Sequence, residues 1–152
     1  MSLPLAIVTG GAGFIGSHMV DLLINEGFAV RVIDNMSGGH EKNLAGHADN
    51  KNVTLERCDI RELDPEGPLF KGAQFVFHFA GIGDIVPSIE RPIDYISVNV
   101  QGTVHVLECA RAAGVQKLVY AASSSCYGLA DVPTTEDHEI QPQCPYALSK
   151  YQ

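Results

Sequence analysis

The sequence predicts an α/β protein built on a doubly wound parallel sheet with helices on both faces. Three observations predict it. Short β-branched apolar runs alternate with longer stretches of helical periodicity, which is how strands joined by crossover helices read. A cluster of glycines falls between the first apolar run and the first helical stretch. No repeat or low-complexity tract interrupts the alternation, and 152 residues, 45% of them apolar, suffice for one domain burying roughly 68–70% of its unfolded surface.

The elements follow in order. Leu5-Ala6-Ile7-Val8 is the first strand. The helix after the glycines places Ile15, Met19, Leu22 and Leu23 on one stripe, the pattern of a helix packed on a sheet. Gly27 closes it where a left-handed cap is usual. Ala29–Ile33 is the second strand, the third lies near Val53-Thr54-Leu55, and Phe75-Val76-Phe77-His78-Phe79 is the fourth. A long helix runs from Ile93 to Ala113, with Ile96, Val100, Val104, Leu107 and Arg111 at helical spacing and Gly114 as its stop. Lys117-Leu118-Val119-Tyr120-Ala121 is the fifth strand. Pro145 opens another helix, since proline is tolerated at the first helical position. A complete domain of this class carries a sixth strand. The sequence reaches Gln152 without one, so the expectation is a single domain, 1–152, cut short before it.

Charge and composition exclude several classes. The formal net charge is −8 with no cluster of Lys or Arg, which argues against a nucleic-acid backbone or an anionic membrane surface as partner. No apolar run is long enough to span a bilayer. The four cysteines form no C-x-x-C pair and no zinc-type spacing with the six histidines. A reducing, cytoplasmic setting and no metal are expected.

Gly11-x-Gly13-x-x-Gly16 is a G-x-G-x-x-G, and Gly10 adds a wider G-x-x-G-x-x-G spacing. Between a strand and an amphipathic helix this is a dinucleotide turn. The glycines let the backbone approach a pyrophosphate, and the helix N-terminus supplies unpaired N–H groups and a positive dipole end. Asp34 ends the second strand about 20 residues on, where a carboxylate accepts the ribose hydroxyls of an adenosine. It would repel a 2′-phosphate, and Arg31, inside the strand, is poorly placed to bind one. NAD is therefore favoured over NADP. A strand-end aspartate that only caps a turn would leave that choice open.

Tyr146 and Lys150 stand four residues apart, on one face of a helix. A tyrosine titrates near pH 10, so acting as a base at neutrality requires roughly 4 kcal/mol of phenolate stabilisation. One ammonium about 4 Å away in an effective dielectric near 20 supplies about that. The pair can serve as a base on a sugar hydroxyl, although two surface residues would show the same spacing.

At these residues the chain resembles the short-chain dehydrogenase/reductase superfamily, in the extended branch of NAD-dependent nucleotide-sugar epimerases and dehydratases. The resemblance covers essentially the whole chain. It runs through Thr9–His18, Asp34–Ser37, Cys58–Arg61, His78–Gly81, Asn99–Thr103, Ser123–Gly128 and Pro145–Lys150. It implies a three-layer Rossmann-type sheet of strand order 3-2-1-4-5. It also implies a cofactor site formed by Gly10, Gly13, Phe14, Ile15, Gly16, Asp34, Asn35, Ser37, Gly38 and Ala121. Asp59 and Ile60 would border the adenine. Phe79, Ala80 and Gly81 would line the pyrophosphate and ribose. Asn99 would brace the site, a role compatible with being a satisfied core amide. Lys150 would also hold the nicotinamide ribose.

Ser123 aligns with the hydroxyl residue that sets the substrate oxygen against Tyr146, although the neighbouring serines share its strand-end position. The family's dehydratases carry an acidic pair after this residue. Ser124 and Ser125 stand there instead, so the resemblance implies epimerisation, most closely that of the UDP-hexose 4-epimerases, by transient oxidation to a 4-keto sugar. It further implies a UDP-sugar substrate, a homodimer, and a C-terminal substrate domain outside these residues, without which the fragment is expected to be inactive. A nucleotide-sugar reductase, dehydratase or decarboxylase, or a non-catalytic NAD-binding module, are the alternatives.

Overall fold

A computed structural model describes residues 3–152 of the chain. Five strands, β1 (Leu5–Thr9), β2 (Ala29–Ile33), β3 (Val53–Glu56), β4 (Ala73–His78) and β5 (Lys117–Tyr120), form one sheet in the order β3-β2-β1-β4-β5. All neighbouring pairs are parallel. The chain builds outward from β1 to β3, then restarts on the other side of β1 with β4. Such a switch point is where α/β sheets hold ligands at the carboxyl ends of their strands.

Register explains the core. Ala6 pairs with Val30 and Val8 with Val32, and these four join Ala12, Val20 and Leu23 in one buried cluster. Side chains alternate faces along a strand, so Ile7 and Ile33, equally buried, point the other way. Both faces are covered, as a parallel sheet requires.

Helix α1 (Phe14–Asn25) corrects the expected stripe. Its buried residues are Gly16, Ser17, Val20 and Leu23, whereas Ile15 and Leu22 are exposed. Steric fit at the N-terminus outweighs hydrophobicity here. A Cβ on Gly16 would lie 2.2 Å from the Gly10 carbonyl, so this face must turn inward whatever the side chains elsewhere. The C-terminus matches expectation. Gly27, at φ +81°, donates its amide to the Ile24 carbonyl while the Phe28 amide donates to the Leu23 carbonyl, the Schellman pattern of a glycine-terminated helix.

The long helix is more broken than its periodicity implies. Helix α2 (Ile85–Glu90), not anticipated from the sequence, precedes it. Pro87 is the third residue of α2, where the amide has no intrahelical partner to lose. Then α3 (Pro92–Tyr95), a π-helical turn (Ile96–Gln101) and α4 (Gly102–Ala112) follow without a gap. The buried positions are Tyr95, Asn99, Gly102, Val106, Cys109 and Ala110, while Ile96, Val104 and Leu107 of the expected stripe are exposed. Gly114, at φ +68°, is the stop. Helix α5 (Pro145–Tyr151) starts at Pro145, with the Cys144 sulfur accepting from the Ala147 amide at 3.4 Å.

The described residues fall into two compact units. The first, through Ala80 plus Gly102–Ala121, holds the sheet, α1 and α4. The second, Gly81–Gln101 plus Ala122–Gln152, holds α2, α3, the π turn and α5.

Candidate functional site

In the first unit the glycine turn is a tightly fitted cradle. Gly10 has φ +69°, and a Cβ there would come within 2.6 Å of the Ala80 amide nitrogen. The Gly13 amide donates to the Gly10 carbonyl at 3.1 Å, which folds the turn back on itself. Gly13 then caps α1 with no side chain to satisfy the first-turn amides. Phe14 and Ile15 point outward, 78% and 62% exposed. The backbone donors of this helix end are thus left for an anion, and a pyrophosphate fits the cradle that side chains would fill.

At the end of β2 the Asp34 carboxylate is buried and accepts two amides, Ala12 N at 3.0 Å and Met36 N at 2.8 Å. Turn capping and ribose binding are compatible, since a carboxylate has about four acceptor sites and these bonds use two. Of the neighbouring glycines only Gly39 is sterically demanded, because a Cβ there would meet Ala12 at 2.8 Å; Gly38 has open space. Asn35 shapes the turn by accepting from Ser37 N and Ser37 Oγ. Arg31 donates to the Pro68 and Leu69 carbonyls, which commits it away from any 2′-phosphate.

Asn35 also donates to Asp59 at 2.9 Å. Arg61 encloses the same carboxylate through its amide, Nε and Nη2 at 2.9, 2.9 and 2.7 Å. The Arg61 side-chain bonds hold the Asp59 carboxyl far below the ordinary carboxylate range, against the opposing pull of burial, with the Arg61 amide and Asn35 adding to the effect. Ile60 is buried, its tip 2.5 Å from where a Gly102 Cβ would stand. The surroundings of Asp59 were not legible from spacing alone, because Arg61 reads as an ordinary surface cation.

Sequence reasoning also missed a buried polar hub beneath the turn. His78 lies fully buried, with Nδ1 2.5 Å from Thr9 Oγ1 and Nε2 2.9 Å from Thr103 Oγ1. Thr9 Oγ1 accepts the Ala80 amide at 3.3 Å, so the hub holds Ala80 against Gly10. Phe79 N bonds to the Thr9 carbonyl and Ala121 N to that of His78, which ties both residues to the strand ends.

In the second unit Ser123 caps a 3₁₀ turn (Ser124–Tyr127), its Oγ accepting the Ser125 amide at 3.2 Å. A hydroxyl that accepts there keeps its own hydrogen for donation. Tyr146 and Lys150 share α5, one helical turn apart. The Tyr146 ring meets that of Tyr95 edge-on at 6.3 Å, and the Tyr95 hydroxyl donates to the Gly83 carbonyl. Burial lowers the Lys150 ammonium below its usual range, with nearby Cys126 opposing the shift. Asn99 is buried and pairs with the Ile82 backbone, beside Gly81.

The thiols of Cys58, Cys109 and Cys126 are held in the neutral form. Burial pushes Cys109 up to about 11, and it raises Cys58 and Cys126 as well. Among the described residues no cluster has the makings of a metal site, and no helix is long and apolar enough to cross a membrane.

A glycine cradle at a helix N-terminus, beside the switch point of a parallel sheet, defines a Rossmann-type dinucleotide-binding protein. Residues 6–152 match the profile of the NAD dependent epimerase/dehydratase family, and the chain belongs to that family, whose cofactor is NAD. It is 39% identical over 148 residues to a UDP-glucose 4-epimerase of Mycolicibacterium smegmatis, covering 95% of this chain and 47% of that one. Among solved structures it is similar to a UDP-N-acetylglucosamine 4-epimerase from Methanobrevibacter ruminantium in complex with UDP-N-acetylmuramic acid. That match has a TM-score of 0.91 and 32% identity, over 99% of this chain and 48% of the other. A dTDP-glucose 4,6-dehydratase from Streptomyces venezuelae, solved with NAD, matches with TM-score 0.87 and 34% identity over 97% and 48%. The chain spans about half the length of the relatives it matches.

Proposed function

We propose that the whole protein is an NAD-dependent UDP-hexose 4-epimerase. The observation that carries this reading is helix α5, which presents Tyr146 one turn from a desolvated Lys150 in a chain whose relatives are named as UDP-sugar 4-epimerases. NAD, when bound, would supply a reversible hydride acceptor. The cradle of Gly10, Gly13 and Gly16 supplies backbone donors for its pyrophosphate, and Asp34 has acceptor capacity for a ribose. Asn35, Ser37, Gly38, Asp59, Ile60, Phe79, Ala80, Gly81, Asn99 and Ala121 complete the proposed cofactor-binding set, together with Phe14 and Ile15.

Tyr146 takes the proton of the sugar 4-hydroxyl and later gives it back. Ser123 donates its remaining hydrogen to the same oxygen and so fixes its position. Lys150 stabilises the phenolate electrostatically, an effect that desolvation strengthens. Likeness to a dehydratase makes elimination the second reading, but Ser124 and Ser125 provide no acid for it. A homodimer in a reducing cytoplasm is the proposed setting, supported by the family resemblance and by four cysteines that all remain free.

The test is incubation of the whole protein with UDP-galactose and with UDP-glucose, followed by product analysis. Interconversion is expected, and Tyr146→Phe should lower kcat by roughly 10²–10⁴-fold while NAD stays bound. No interconversion, and no reduced NAD with any UDP-hexose, would refute the proposal. A 4-keto-6-deoxy product would establish the dehydratase instead.

A further inference from the structure

We propose that Ser149 is a positioning residue, its hydroxyl locking the helix turn that carries Tyr146 and Lys150 onto the side-chain amide of Asn99. The inference deepens the reading of Tyr146 and Lys150 as the catalytic pair and rests on it. The course of each proton follows from its neighbours. Asn99 Oδ1 accepts from the Ile82 amide at 2.8 Å, and Asn99 Nδ2 donates to the Ile82 carbonyl at 3.0 Å. This two-point pairing decides which end of the amide is nitrogen. Nδ2 also donates to Ser149 Oγ at 2.9 Å. Ser149 is an acceptor in that bond, so its own hydrogen goes to the Tyr146 carbonyl at 2.8 Å.

Asn99 and Ser149 are 2% and 1% exposed, so water is not at hand to replace either partner. The relay joins three segments: the chain after Gly81, the π turn and α5. A Cβ at Gly81 would approach Asn99 Oδ1 to 3.0 Å, so that segment closes tightly over the amide. Because Ser149 lies between Tyr146 and Lys150 on one short helix, a slip of α5 displaces both together. Misplacement of about 1 Å is enough to cost roughly a hundredfold in rate.

The experiment compares Ser149→Ala, Ser149→Thr and Ser149→Cys in the whole protein. Ser149→Ala should lower kcat roughly ten- to a hundredfold, with the KM for UDP-hexose and the Kd for NAD changed by no more than about twofold. Ser149→Thr, which keeps the hydroxyl, should restore kcat. A second readout needs no turnover: the titration of Lys150 by NMR after isotope-labelled reductive methylation, its signal assigned with Lys150→Arg. Ser149→Ala should move that titration toward the ordinary lysine range, and Ser149→Thr should leave it in place.

Should the alanine variant not fold, Ser149→Cys keeps the volume with a weaker hydrogen bond and serves in the same comparison. If the wild type shows no hydride chemistry yet loss of the hydroxyl still shifts the Lys150 titration, the epimerase reading fails and the positioning role stands. A folded alanine or cysteine variant with wild-type kcat and Lys150 titration overturns the proposal. So does a threonine variant as impaired as the alanine one.

Discussion

Gly16 has no room for even a methyl group. A Cβ there would lie 2.2 Å from the Gly10 carbonyl and 2.7 Å from Gly11 Cα, both backbone atoms of the cradle. Gly16→Ala must therefore open the turn. It should cost about 1–3 kcal/mol in chemical denaturation and abolish NAD binding in calorimetry. Gly38→Ala is the control, since nothing lies within 4 Å of its Cβ, and its stability should change by no more than about 0.5 kcal/mol. At Asp59 the prediction concerns acid. A carboxyl whose folded pKa is depressed contributes stability fully present above its unfolded value near 3.9, which is lost as the pH falls through the folded one. The Arg61 and Asn35 bonds should therefore stabilise the protein above about pH 4 and fade progressively below it. Asp59→Asn should flatten the acid limb of a melting-temperature profile while lowering the plateau at neutrality. An unchanged acid limb would show that the network contributes nothing.

At the scale of elements, the sequence pattern located α1, α4 and α5 but only part of each buried face: in α1 Leu23 is buried while Ile15 and Leu22 are exposed. In α4 the residues turned inward are Gly102, Val106, Cys109 and Ala110, while Val104 and Leu107 are exposed. Val106→Ala should accordingly cost about 2 kcal/mol, against about 0.5 kcal/mol or less for Leu107→Ala. Thermal or urea unfolding of the two variants checks the assignment, and a larger loss at Leu107 would reverse it. The strands were more legible because β-branched runs such as Val30-Arg31-Val32-Ile33 fill a fully buried sheet and leave little choice of boundary. The π turn was not legible. Its Asn99 was expected as a satisfied core amide, but its partners were not, and what makes its buried placement favourable is pairing with Ile82 and Ser149.

For the whole molecule the consequence is cofactor choice. Asp34 stands at the end of β2, Arg31 is tied to carbonyls, and the net charge of −8 adds a field of the same sign. NAD should bind at least about tenfold more tightly than NADP, the ratio set by 1.4 kcal/mol of like-charge repulsion. Fluorescence titration with both nucleotides measures it, and equal affinities would contradict the assignment. The sequence by itself determined the parallel sheet and the dinucleotide turn, written in alternating apolar runs and glycines at fixed spacing, and its family resemblance implied the strand order that the sheet shows. Only the tertiary structure decided which helix faces are buried, that Arg61 encloses Asp59, and that His78 and Ser149 hold the turn and the helix in place. The His78 and Ser149 contacts join residues dozens of positions apart, where close packing and the pairing of buried polar groups, rather than local propensity, select the partner, and Arg61 meets Asp59 two positions away through a turn that spacing alone does not show.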